Sequence, residues 1–249
     1  MFVAASTECW PEMELEGAIE ALDDLEFTAI EIALHESGKT NRPSELLVDL
    51  DRAVQLLRHT HRLDISGYSL ELGTTGDQHY EDFKNICRIA KATKVVNLTI
   101  PSAELGTPFN EEVEHLQKVV EIGETEGVRV SVRSQLGCLS EDPDTLMVLC
   151  NNVDGLGITL DPSVYIAGPA SGKSLDKILK FVCNVHLRDT RPDAFQVSVG
   201  QGEVDYGKIV TQLDRDGYDR ALTVHMTPMD GLDHRVELRK LRRLLESLL

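Results

Sequence analysis

Four things are scarce or missing in this chain of 249 residues: paired cysteines, basic charge, long apolar runs and glycine-rich nucleotide motifs. The five cysteines (Cys9, Cys87, Cys138, Cys150, Cys183) are an odd number at wide spacings with no CxxC pair. A disulfide framework is therefore not expected, and reduced, buried thiols are. Lysine and arginine number 25 against 42 aspartates and glutamates, giving a net charge of −17 and an isoelectric point near 4.8. Such a surface repels polyphosphate and anionic lipid, so neither nucleic acid nor membrane is expected as a general partner. No apolar run approaches the ~18 residues of a membrane span. Met1 to Ser6 carry no basic stretch ahead of a long apolar one, so no leader is expected and a cytoplasmic location is. There is no GxGxxG after the first strand-like segment and no GxxxxGK[ST], so no nucleotide cofactor is expected.

What is present is a regular alternation of short apolar runs and amphipathic stretches. The patterns predict strands at about 2–6, 28–34, 63–71, 94–100, 128–133, 156–160, 181–187 and 220–226. Helical spacing predicts helices over 14–25, 46–59, 81–91, 111–124, 143–151, 206–215 and 233–248. The helix of the sixth strand–helix unit, between 160 and 181, is the weakest, because Ala167-Gly168-Pro169-Ala170-Ser171-Gly172-Lys173 reads as a loop and leaves a short piece near 174–179. Eight strand–helix units in this length predict a closed (β/α)8 TIM barrel, one α/β domain over residues 1–249.

Three of the runs end in polar residues: Ile158-Thr159-Leu160-Asp161, Phe181 to His186, and Ala221 to His225. Neighbouring parallel strands bring their carboxyl ends to one mouth, so Asp161, His186 and His225 could share one site, for a metal or for acid–base chemistry. A fourth run, Val128 to Arg133, ends in a fixed positive charge.

Four segments resemble the xylose-isomerase-like barrels, a family of sugar epimerases, keto-sugar isomerases and abasic-site endonucleases. They are Phe27 to Ile32, Thr159-Leu160-Asp161-Pro162, Val185-His186-Leu187-Arg188-Asp189, and Gly200-Gln201-Gly202-Glu203-Val204-Asp205-Tyr206. The resemblance implies a divalent metal at the mouth, held by a Glu, an Asp, a His and a second Glu, with the glutamates moving protons at neighbouring sugar carbons. Asp161 and His186 match the Asp and His. Arg133 and His225 stand where the two glutamates would be, and Val164 stands where many members have a His. A guanidinium cannot bind a cation, so two readings stay open. Asp161, His186 and His225 could hold Zn, Mn or Fe as a two-histidine, one-carboxylate face. Alternatively, Arg133 could replace the metal, paired with Asp161 or clamping a substrate carboxylate or phosphate. The endonuclease members use a richer His and Glu set than this chain has.

Other residues carry paired readings. His186 could instead be bonded to Asp189, Asp161 could cap a turn, and His225 could be tied to Thr223 or Thr227. His225 suits general base work, because an ordinary imidazole titrates near neutrality. Glu71 or Glu31, with His35 just beyond, could supply the missing carboxylate, or cap a helix. Trp10, the only tryptophan, could wall a sugar face; Asn97 and Gln135 could bind hydroxyls. Arg188 is assigned by alternation to the face away from His186, in a helix-facing ion pair. The Gly200-Gln201-Gly202 amides either make a tight bend or meet an anionic substrate group. The basic run Arg235 to Arg243 reads as a solvated helix face.

Together these imply a sugar isomerase or epimerase that moves a proton next to a carbonyl, with His225, Arg133 and Glu71 catalytic and Trp10, Glu31, Asn97 and Gln135 on the substrate. The alternatives are a lyase or dehydratase on an acidic sugar-derived substrate, and a barrel that binds a sugar without turnover. A homo-oligomer is compatible with either.

Overall fold

The computed structural model describes residues 1–249 throughout. Eight parallel strands, β1 (Phe2–Ser6), β2 (Ala29–His35), β3 (Asp64–Glu71), β4 (Asn97–Ile100), β5 (Arg129–Arg133), β6 (Gly157–Leu160), β7 (Val182–Leu187) and β8 (Ala221–Val224), pair in sequence order. Val3 opposite Leu222 and Ala5 opposite Val224 join β1 to β8 and close the (β/α)8 barrel. Around it lie α1 (Leu15–Asp24), α2 (Pro43–Leu46), α3 (Leu50–Arg58), α4 (Gly76–Ala92), α5 (Phe109–Glu126), α6 (Pro143–Asn152), α7 (Val164–Ala167), α8 (Tyr206–Arg215) and α9 (His234–Glu246). No helix is long and apolar enough to cross a membrane, and all five cysteines are buried and unpaired.

Helix starts follow from capping. Asp142 accepts from the amides of Asp144 and Thr145 with Pro143 in the first turn of α6. Asp205 and Asp233 do the same for α8 and α9 through Lys208 and Val236. Each cap satisfies amides that the helix itself cannot. The helix expected over 46–59 begins later, as α3 at Leu50, because α2 ends at Leu46 and Asp49 accepts from the Arg52 amide to start a new helix. β4 begins at Asn97 rather than near residue 94, since Lys94 turns the chain at a φ of 63°.

The sixth unit departs most from expectation. Residues 174–178 form no helix; one turn of α7 and a 3-10 turn at Leu179–Phe181 span the connection. Gly172 at a φ of 83° breaks the chain direction. The Ser174 hydroxyl takes the Asp176 amide for itself, a local bond that competes with helix formation.

Along each strand, alternation sends one set of side chains to the helices and the other into the barrel. Ile30, Ile32 and Leu34, Leu98, Val130 and Val132, Ile158 and Leu160, and Val185 and Leu187 join the buried apolar layer under the helices. Burying each large aliphatic chain is worth about 1.5–3 kcal/mol, so this layer holds the frame rigid. The inward set is small and polar. The Thr159 hydroxyl lies 2.8 Å from both Thr99 Oγ1 and Ser131 Oγ, deep in the barrel.

Candidate active site

Above that hydroxyl cluster sits a buried carboxylate–imidazole pair. Glu31 Oε1 is 2.8 Å from His186 Nε2, and Asn184 Nδ2 donates to Glu31 Oε2 at 2.6 Å. Thr223 Oγ1 in turn donates to Asn184 Oδ1 at 3.3 Å. Burial pushes the Glu31 carboxyl up, but the adjacent His186 more than reverses this and leaves it below its ordinary value. Nδ1 of His186 is enclosed without a partner.

The next layer forms the mouth. His225, one residue past β8, sits with its Nε2 2.8 Å from Glu8 Oε2 and its Nδ1 2.6 Å from Nη2 of Arg188. The same Nη2 donates to Asp161 Oδ2 at 2.8 Å. A guanidinium can only donate, so Nδ1 is the acceptor and Nε2–H faces Glu8. Burial, with His186 and Arg188 opposing a second positive charge, lowers the His225 pKa despite Glu8. His225 is therefore a neutral imidazole held in one tautomer. Burial alone would raise Asp161; Arg188, then His186 and His225, bring it below the usual carboxylate range. Glu8 is pulled well below its usual value in the same way, by His225, His35 and Arg133. Its second oxygen lies 3.4 Å from His35 Nδ1, and His35 Nε2 bonds Ser69 at 2.9 Å.

Across the mouth, Arg133 pairs with Glu71 at 2.5 Å and donates twice to Gln135 Oε1, at 2.8 and 3.2 Å. It does not meet Asp161. Arg133, Gln135, Asp161, Arg188, Phe195 and His225 line one cavity of about 250 Å³. Phe195 packs its ring 4.8 Å from the Arg188 guanidinium. Nη1 of each arginine makes no hydrogen bond to protein, and Nε of Arg188 is enclosed and unpartnered. A roomier hollow of about 790 Å³ lies outside the barrel between α1 and α2–α3 and touches none of these groups.

Arg188 is the principal correction. The sequence reading placed it away from His186, yet a period of two puts residues 186 and 188 on the same face, and the side chain is buried at the mouth. Asn97 is a second correction: it lies at the floor of the barrel against Thr99 and Cys183, too deep for a ligand at the mouth. Trp10 packs edge-on against His234, with ring centroids 4.6 Å apart, and does not line the mouth cavity. Glu31 likewise faces His186 in the interior. The amides of Gly200 and Gly202 are already committed to Asp189 Oδ2, at 2.7 and 3.0 Å, leaving none for a substrate. That also removes Asp189 as a partner of His186. Glu8, His35, Asn184 and Phe195 complete the constellation. Counting alternate residues from His186 would have found Asn184; Phe195 sits on an irregular loop with no sequence signal.

A resident divalent metal does not fit these residues. No three His, Cys, Asp or Glu side chains converge as ligands would. Asp161 and His225 share one guanidinium nitrogen, while His186 spends its Nε2 on Glu31 one layer below. A cation already lies between the two mouth groups that would bind another.

A family model described as xylose isomerase-like TIM barrel matches residues 19–248. The chain belongs to this family. No curated protein matches it in sequence. Among solved structures it is similar to a D-tagatose 3-epimerase-like protein (TM-score 0.78, 15% identity, covering 100% of this chain and 98% of that one). It also resembles a probable 3-DHS dehydratase of petrobactin synthesis from Bacillus anthracis (TM-score 0.74, 14% identity, 99% of each chain). A third likeness is to a 3-keto-D-glucoside 4-epimerase from E. coli (TM-score 0.74, 11% identity, 99% of each chain). At these identities the likeness concerns the fold. This xylose isomerase-like barrel therefore has the family's frame around a mouth in which arginine stands among the polar groups.

Proposed function

We propose that this xylose isomerase-like barrel moves a proton at a carbon next to a carbonyl in a small polyhydroxylated substrate, with guanidinium as its cation. The observation that carries the reading is Nη2 of Arg188 within hydrogen-bond distance of both Asp161 and His225. A neutral imidazole backed by a carboxylate is a good base, since Glu8 orients Nε2–H and stabilises the imidazolium that forms. In the step itself the C–H bond breaks and the proton goes to His225 Nδ1. The electron pair moves into the carbonyl, giving an enediolate. Arg188 turns Nη2 from Nδ1 to the new oxyanion, where a fixed positive charge lowers the barrier. Asp161 holds the guanidinium in place.

A second reading is favoured by the other arginine. Arg133 brings its own unpartnered Nη1 to the same cavity, and two guanidiniums around one small space suit a carboxylate-bearing substrate. On such a sugar acid the enediolate returns its electron pair to form a C=C bond and expels the β-hydroxyl. That hydroxyl takes the proton from the His225 imidazolium and leaves as water, a dehydratase outcome. The presence of epimerases and a dehydratase among similar folds is in keeping with both endings.

Both share the first step, which is the one to test. Chelator-treated protein is incubated in D2O with keto-hexoses, D-glucuronate and aldonates, and loss of the proton next to the carbonyl is followed by NMR. Exchange that survives chelation and vanishes in His225→Gln and Arg188→Met supports the reading. Exchange that requires added metal, or no exchange across the panel, overturns it.

A further inference from the structure

A second cavity adjoins the mouth. It measures about 590 Å³ and lies between the ends of β3 and β4 and helices α4 and α5. Gln135 lines both spaces, and Glu71, on the wall of the second, is ion-paired to Arg133 on the wall of the first. The two are thus neighbours across the Arg133–Glu71–Gln135 cluster. Volume separates their roles. Ligand pockets for larger small molecules run to roughly 300–1,000 Å³; the mouth, at about 250 Å³, takes a compact head group and little more.

The second cavity has its own chemistry. Leu70, Leu72, Phe83 and Ile100 supply apolar wall, and His79 and His115 supply imidazoles 5.2 Å apart. His79 spends Nδ1 on the Thr74 carbonyl and His115 spends Nδ1 on the Tyr80 hydroxyl, so Nε2 of each ring has no protein partner. Burial, with His79 and Lys118 nearby, pushes the His115 pKa down to about 4, so that ring carries no charge at neutral pH. Glu71 and Glu104 on the same wall disfavour an anion. None of these residues serves the proton transfer proposed at the mouth.

We infer that this side cavity is a second substrate subsite, taking a neutral apolar or aromatic group attached to the polyhydroxylated head held by Arg188 and Arg133. The inference rests on the mouth being the reacting site, and it makes a conjugate the better substrate than the free sugar or sugar acid. The ring or chain of the attached group packs on Leu70, Leu72, Phe83 and Ile100, and a hydroxyl or ether oxygen on it meets His79 and His115.

Three probes separate the parts: D-glucuronate for the head, phenol for the attached group and phenyl β-D-glucuronide for both, each titrated by calorimetry and by NMR of the histidine ring resonances. The conjugate is expected to bind at least tenfold tighter than D-glucuronate and to shift His79 and His115. The His79→Ala/His115→Ala variant and the cavity-filling Ala103→Trp variant should each lose that tenfold advantage while binding D-glucuronate as the parent does. Equal affinity for conjugate and free acid, with His79 and His115 unmoved, overturns the subsite and leaves the mouth reading intact. Phenol and conjugate shifting both histidines while D-glucuronate fails to bind at all supports the subsite and overturns the mouth reading instead.

Discussion

His186 and His225 stack face to face, with ring centroids 4.4 Å apart and planes 9° from parallel. Each ring has its own carboxylate, Glu31 for one and Glu8 for the other. Two buried imidazolium ions at that spacing would repel strongly, so the stack resists double protonation. It supplies a base that starts uncharged and a carboxylate ready to stabilise the charge it gains.

Acid should therefore destabilise the protein in two stages. His225 has a depressed folded pKa, so the unfolded chain binds more protons as pH falls below about 6.5, and stability falls with it. His115 and His234 are lowered in the same sense. Glu31 and Asp161, depressed below their unfolded values near 4, add a second loss at lower pH. One such group contributes at most about 1.4 kcal/mol per pH unit. Urea unfolding from pH 8 to 2 should show both limbs, and His225→Gln should make the upper one shallower. An unchanged slope in that variant would rule out a neutral His225.

Arg188 is predicted to be worth more to the fold through Asp161 than through its own packing. Arg188→Met strands a buried carboxylate whose remaining bond is to the Ser163 amide, and stranding one member of a buried pair costs about 3–5 kcal/mol. Adding Asp161→Asn should recover most of that loss in urea titrations. A single-variant cost under about 1 kcal/mol, or no recovery in the double variant, counts against the pairing.

The barrel was legible because a buried parallel strand shows as a short apolar run, and eight such runs leave few alternatives. Asp161, Arg133 and His225 were legible as strand-end residues for the same reason. What they touch was not. Arg133 had two carboxylates in reach, Asp161 on the neighbouring strand and Glu71 one strand further away, and it meets Glu71 because Arg188 already holds Asp161. Arg188 was lost to a parity error that the strand period corrects, and with it went the cation between Asp161 and His225. The GxG turn was ambiguous because a glycine amide facing a carboxylate of its own chain looks, in sequence, like one facing a ligand.

Metal should make no difference to folding. A site occupied only in the folded state raises the melting temperature as ligand is added, by RT ln(1 + [L]/Kd). With Arg188 between Asp161 and His225, millimolar Mn²⁺ or Zn²⁺, or EDTA, should move the melting temperature by less than about 1 °C. A rise with metal that disappears in Asp161→Ala would show a site the guanidinium does not prevent.

The loop that seats Phe195 over Arg188 hangs from Asp189, which points to a last test. Asp189 accepts from the amides of Thr190, Gly200 and Gly202. A Cβ placed on Gly202 would fall 2.0 Å from Asp189 Oδ1, with the Thr190 amide 2.6 Å away, so Gly202→Ala must break this cradle. Bonds to a charged acceptor are worth about 1.5–3 kcal/mol each, and the variant should lose about 2–3 kcal/mol. Gly200→Ala meets no neighbour and bears only the strain of a φ of 90°, about 1 kcal/mol. Hydrogen exchange supplies the second readout: amides from Thr190 to Glu203 should exchange faster in Gly202→Ala and stay near the parent's rates in Gly200→Ala. If both variants cost the same and leave the loop equally protected, Asp189 is not what holds Phe195 against the arginine.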